Sequence, residues 1–194
     1  IIDRFYNGED IFLEKEEGCY HRNQYLMLVS NANEKKTALS RFISHSTPLK
    51  RLVKFNKGVW GVKSRNKEQQ FAFDLLMDPE VRLITLIGKA GSGKTLCAIA
   101  AGLQQTVDDF MIKGEPHYTR MIVSRPVQPL GKDIGFLPGT MEEKMKPWLS
   151  PIQDNLQFLM GNDKTTLEMY LERGRIEIEA LTYIRGRSIA NAFI

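Results

Sequence analysis

The chain has 194 residues, enough to bury a substantial core and to form one domain or one and a half. Its 42% hydrophobic and 26% charged content is ordinary for a globular protein, and no apolar run approaches the roughly 20 residues needed to span a bilayer. No signal-peptide pattern opens the chain, and Cys19 and Cys97 form neither a disulfide framework nor a metal spacing, so a cytoplasmic location without membrane attachment is expected.

Residues 1–63 lack helical periodicity and read as a small β-rich module. Leu26-Met27-Leu28-Val29 is a compact apolar run closed by the turn cluster Ser30-Asn31-Ala32-Asn33. Thr37 to Ile43 is a second candidate strand. Arg51 to Phe55 and Gly58 to Val62 suggest a hairpin across Asn56-Lys57. The net charge of +4 is unevenly spread: Lys50, Arg51, Lys54, Lys57, Lys63, Arg65 and Lys67 lie in a stretch without one acidic residue, interleaved with Phe55 and Trp60. Such a stretch can follow a nucleic-acid backbone and stack bases, which makes Lys54 and Trp60 nucleic-acid candidates. A solvated strand face with two core aromatics is the plainer alternative.

From residue 64 the pattern changes to alternating strands and helices, which predicts a parallel α/β sheet over 64–194. Asn66 can cap a helix that presents Phe71, Leu75 and Leu76 on one face and stops at Asp78-Pro79. Val81 to Ile87 reads as a buried strand. A helix is expected from about Lys94 to Met111, followed by a turn at Lys113-Gly114-Glu115-Pro116. Met121-Ile122-Val123 is a second buried strand, and Pro126 to Pro138 a long loop. Met141 to Met160 reads as helical, bent or divided by Pro147 and Pro151. Thr165 to Arg173 is another helix and Arg175 to Ala180 another strand. The chain starts at Ile1 without methionine, and Ala192-Phe193-Ile194 looks like the opening of a strand, so the sequence reads as a fragment truncated at its C-terminal side.

Between the first strand and its helix stands Gly88-Lys89-Ala90-Gly91-Ser92-Gly93-Lys94-Thr95, which satisfies the phosphate-loop pattern G-x-x-x-x-G-K-[ST]. Glycines let the backbone N–H groups of residues 88–93 close around phosphate oxygens, and the helix start adds the positive end of its dipole. Lys94 can reach the β- and γ-phosphates and the Thr95 hydroxyl can ligate Mg2+, so these two are the expected catalytic pair, with ATP and Mg2+ as cofactors. Upstream, Gln69 has the residue type and distance of the glutamine that hydrogen-bonds the adenine edge in helicase-like ATPases; a surface glutamine is the bland alternative. Arg125 and Lys132, in the loop after the second strand, face the ligand side of a parallel sheet and could hold a nucleotide or polynucleotide phosphate. Arg185-Gly186-Arg187-Ser188 suits oxyanions too, or else an interface or plain surface. Cys97 reads as a small buried residue.

The combination of GKAGSGKT, the run from Ser124 to Gly161 (SRPVQPLGKDIGFLPGTMEEKMKPWLSPIQDNLQFLMG), IEALTYIRGRS and NKEQQFAFDLL resembles the PhoH family of P-loop ATPases, related to superfamily 1 helicases. The resemblance covers about Leu26 to Ile194. It implies a P-loop NTPase domain over 64–194, ATP hydrolysis, RNA as partner, and self-association into a ring. It also implies a PIN ribonuclease domain ahead of the ATPase, for which residues 1–25 are too few, and an acidic Walker B pair after the RGRS run, beyond Ile194. Any sensor or arginine finger would lie later still. Three readings stand: an ATPase acting on RNA, a small-molecule P-loop kinase, and a nucleotide-binding module without turnover.

Overall fold

The computed structural model describes residues 1–15, 19–108, 117–126 and 141–194, without the side chains of Asp108, residues 141–149 and Thr182. The chain divides into two units, Ile1–Phe55 and Asn56–Ile194. The boundary precedes the 63/64 junction expected from sequence, because the turn at residues 59–62 packs with the second unit.

In the first unit, period-two alternation builds an antiparallel sheet. Strand β1 (Gln24–Val29) turns Leu26 and Leu28 towards the core and leaves Met27 and Val29 exposed. It pairs with β2 (Thr37–Phe42) from Gln24↔Phe42 to Val29↔Thr37, and β3 (Lys50–Arg51) adds to the far side of β2. Both long strands match their sequence runs. A short helix α1 (Ile2–Tyr6), which five residues are too few to announce by periodicity, buries Ile2 and Phe5 against Ile11, Ala38, Phe42 and Leu49. The Arg51 guanidinium fastens this helix, donating to Phe5 O at 2.8 and 3.0 Å and to Glu9 O at 2.7 Å while lying over the Phe5 ring.

The hairpin expected between residues 51–55 and 58–62 does not form. Val59 and Val62 instead exchange backbone hydrogen bonds across a tight turn, with Trp60 at φ 49 between them. Reversal within residues 59–62 leaves no extended arm to pair with 51–55. Apolar and β-branched residues, good strand formers by type, here serve a turn.

The second unit is built on a three-stranded parallel sheet in the order β5-β4-β6, formed by β4 (Arg120–Arg125), β5 (Ile176–Ala180) and β6 (Ala192–Phe193). Helix α2 (Lys67–Leu76) starts at Asn66, whose side chain accepts from Gln69 N. Helix α3 (Lys94–Leu103) passes into a wider π turn over Gln104–Asp108 instead of continuing at α pitch. Helix α4 (Met141–Leu159) runs unbroken through Pro147 and Pro151 and is not divided there. Helix α5 (Lys164–Glu172) begins at Asp163, whose carboxylate accepts from Thr165 N and Thr166 N. A short α6 (Leu181–Ile184) follows β5. Ile99, Leu103 and Val107 meet Met121, Ile152, Leu156, Leu167 and Ile176 in one core, so α3, α4 and α5 all pack on the sheet.

Two consecutive glutamines at the π turn tie other segments to it. Gln104 Oε1 accepts from Trp60 N at 2.7 Å, and buried Gln105 donates to Leu76 O at 3.0 Å and to Ala101 O at 3.1 Å. Just before the turn, α3 carries Gly102 where a Cβ would lie 2.8 Å from Phe193 Cδ1, so only hydrogen fits between helix and sheet.

The run Val81–Ile87 corrects a second expectation. It joins no ladder, and Leu83 and Ile87 are 88% and 92% exposed. β4 already has a neighbour on each side, and the run pairs with neither of the sheet's outer strands, β5 and β6. Apolar composition calls for burial, but a strand also needs a partner edge. The expected turn at 113–116 and most of the loop after Pro126 lie outside the described residues.

Candidate functional site

Residues 88–95 form an exposed loop running directly into α3. Gly91 and Gly93 take φ 75 and 83, left-handed values that L side chains avoid, and these reverse the chain twice within three residues. Gly93 is also the N-cap of α3, so no side chain satisfies the first N–H groups of the helix, and no acidic residue stands in its first turn. The loop thus meets solvent with unspent donors and the positive end of a ten-residue helix.

Lys94 folds back into the curve of the loop. Its Nζ donates to Gly88 O at 2.9 Å, Lys89 O at 2.7 Å and Ser92 Oγ at 3.3 Å. All three acceptors are neutral oxygens. A cation so held can be offered to a stronger, anionic acceptor. Thr95, one residue on, is exposed in the first turn of α3.

Gln69 reaches the same loop from α2. Its Oε1 accepts from Arg65 N at 2.8 Å and its Nε2 donates to Ser92 O at 3.2 Å. The structure therefore gathers Gln69, Ser92, Lys94 and Thr95 at one place.

Arg125 is the exposed last residue of β4, and Lys132 lies outside the described residues. Lys54 is exposed in the first unit. Trp60 packs against the core of the second unit and donates its indole Nε1–H to Leu159 O at 2.8 Å, a core use of the ring. The basic stretch is split between the units, and Arg51 is committed to holding α1. Cys97 is buried, and that burial pushes its thiol pKa up.

Sequence reading missed the partners of Arg187. Its guanidinium donates to Glu179 at 2.5 Å and reaches Glu177 at 3.4 Å, while Arg120 on β4 pairs with Glu177 at 3.0 Å. These hydrogen bonds and charges, Glu179 foremost, raise the Arg187 pKa further. The signal was the spacing of Glu177 and Glu179, which puts both carboxylates on one face of a strand.

Among the described residues no three His, Cys, Asp or Glu side chains converge on a possible metal site. A magnesium ion needs no such cluster where phosphates and water fill most of its octahedron, and the exposed Thr95 hydroxyl fits that donor set. No helix among the described residues is long and apolar enough to cross a membrane.

The family model "PhoH-like protein" matches residues 61–194. The chain is 43% identical to Protein PhoH2 of Bacillus subtilis (strain 168) over all of its own length and 43% of that protein's. It is 38% identical to Protein PhoH2 of Thermobispora bispora, over 74% of this chain and 31% of that one. It is also 38% identical to the PhoH-like protein of Bacillus subtilis, over 58% and 32%. The chain thus spans less than half the length of these curated relatives.

Proposed function

The chain belongs to the PhoH family of nucleotide-binding, ATPase-like proteins, and on that premise we propose that residues 88–95 bind ATP and that the longer protein couples its hydrolysis to movement on single-stranded RNA. The observation that carries the first half is Lys94, an ammonium held inside the loop by three neutral oxygens. A triphosphate entering the loop replaces those acceptors with anionic ones, which bind a cation about twice as strongly. The backbone N–H groups of 88–93 and the open start of α3 take the remaining phosphate oxygens. Thr95 is the residue that would hold magnesium, whose chemistry when bound is to neutralise charge on the β- and γ-phosphates.

Support for the RNA half is the resemblance to helicase-like ATPases and the exposed cations Lys54, Lys57, Lys63 and Lys67. RNA held through such groups must bind less tightly as salt rises. Self-association into a ring belongs to the same proposal.

The test is ATP hydrolysis by the protein with and without single-stranded RNA. RNA-stimulated release of phosphate supports the proposal, and no stimulation across several RNAs sinks it. Transfer of labelled phosphate to a metabolite instead of water assigns the site to a kinase. A second reading is that this stretch alone binds nucleotide without turning it over. Tight ATP binding with no hydrolysis by the 194-residue chain is the result that reading expects.

A further inference from the structure

Gln69 spends one acceptor and one donor of its side-chain amide on backbone groups of the protein. A glutamine that recognises an adenine edge offers one donor and one acceptor side by side. Here Oε1 takes the Arg65 N–H and Nε2 gives a proton to the Ser92 carbonyl. Both partners are backbone groups, one just before α2 and one just before α3. Ser92 is also the residue whose Oγ accepts from Lys94. Gln69 and Lys94 therefore grip one residue from opposite ends, its carbonyl and its hydroxyl. Gly93 leaves the space for this contact, since a Cβ there would lie 3.1 Å from Gln69 Nε2.

We propose that Gln69 is a positioning residue that pins the Ser92-Gly93 peptide to the start of α2, holding the phosphate loop in its receptive shape whatever base the nucleotide carries. The proposal rests on the triphosphate reading above and deepens it. The bond to Ser92 fixes the peptide that turns the chain into α3, so it sets where the first helix N–H groups point. Losing it costs phosphate affinity through the loop, with no change in the preference between bases.

The experiment measures binding of ATP, GTP and inorganic tripolyphosphate to the 194-residue chain, for the parent, Gln69→Ala and Gln69→Glu. The Asn66 cap survives both substitutions, because it accepts from the backbone N–H of residue 69. Glutamate keeps an acceptor for Arg65 N and loses the donor to Ser92 O. Gln69→Ala is expected to weaken all three ligands by a common factor of roughly fivefold, about the worth of the one neutral hydrogen bond to Ser92, and Gln69→Glu by more, because it also sets a carboxylate beside the phosphates, with the ATP-to-GTP ratio unchanged in both. Weaker ATP binding with tripolyphosphate unaltered overturns the proposal in favour of base recognition. Unchanged affinities, or a lower melting temperature with affinities intact, overturn it too. Failure of the parent to bind ATP or tripolyphosphate overturns the nucleotide site itself, before any variant is compared.

Discussion

Two basic side chains of the second unit are treated by the structure in opposite ways: Lys94, read from sequence as a phosphate ligand, and Arg187, read as suiting a phosphate, an interface or plain surface. Lys94 rests on neutral oxygens of its own loop, beside the uncapped start of a helix. Arg187 rests on Glu179 and Glu177, two carboxylates of a neighbouring strand. An incoming phosphate improves the surroundings of Lys94, whereas at Arg187 it must displace anions already in place. What a cation can bind depends on what it must give up.

The sharpest way to break this contrast is Lys94→Ala. Hydrogen bonds to a charged group contribute about 1.5–3 kcal/mol, so tripolyphosphate or ATP affinity should fall roughly tenfold to a hundredfold by titration calorimetry. An unaltered affinity removes Lys94 from the site. Next in size is Gly93→Ala, which forces a side chain into the left-handed region at φ 83 and against Gln69 Nε2. A cost of roughly 1–2 kcal/mol is expected in thermal unfolding, together with weaker triphosphate binding. Arg187→Ala, by contrast, should leave triphosphate affinity where it was; a loss like that of Lys94→Ala erases the distinction between the two cations. Glu179→Gln should lower the melting temperature slightly at low salt, with the difference from the parent closing as salt screens these half-exposed pairs.

The smallest effect extends the comparison to a carboxylate. Asp163 is held by the Thr166 hydroxyl and by the N–H groups of Thr166 and Thr165, which lower its pKa. A depressed folded-state pKa gives stability that is present above the ordinary carboxylate value and is lost as pH falls through the lowered one. Asp163→Ala should therefore melt earlier than the parent at neutral pH, and the gap should close in acid. A gap that persists at low pH makes the loss one of packing, with no part played by the charge.

What was legible in the sequence was local. The Asn66 cap and the strands read at 26–29, 37–43 and 175–180 depend on neighbours within a few residues, and the structure has the cap in place and the strands at 24–29, 37–42 and 176–180. Gln69 could be singled out by type and distance, but its contact with Ser92 depends on how α2 packs beside the loop. The run 81–87 failed for the converse reason: its composition specifies an apolar strand and cannot specify a free edge to join. Trp60 misled because its backbone turns left-handed, a choice its side chain does not announce. Arg187 stays undecided between phosphate, interface and surface in the sequence, because its partners sit on β5 and a pattern of basic residues says nothing of the acids opposite.

The π turn after α3 gives the helix two independent registers. Through Leu103 the residues are indexed to the phosphate loop at α pitch, and over Gln104–Asp108 one extra residue per turn resets the count. Deleting a single residue there would let the segment close to ordinary α pitch, so Val107 could keep its place in the core while Lys94 kept its station at the loop. The same deletion inside α3 would turn the residues after it by about 100°. The wide turn is thus the place where this helix can lose a residue without moving its two ends.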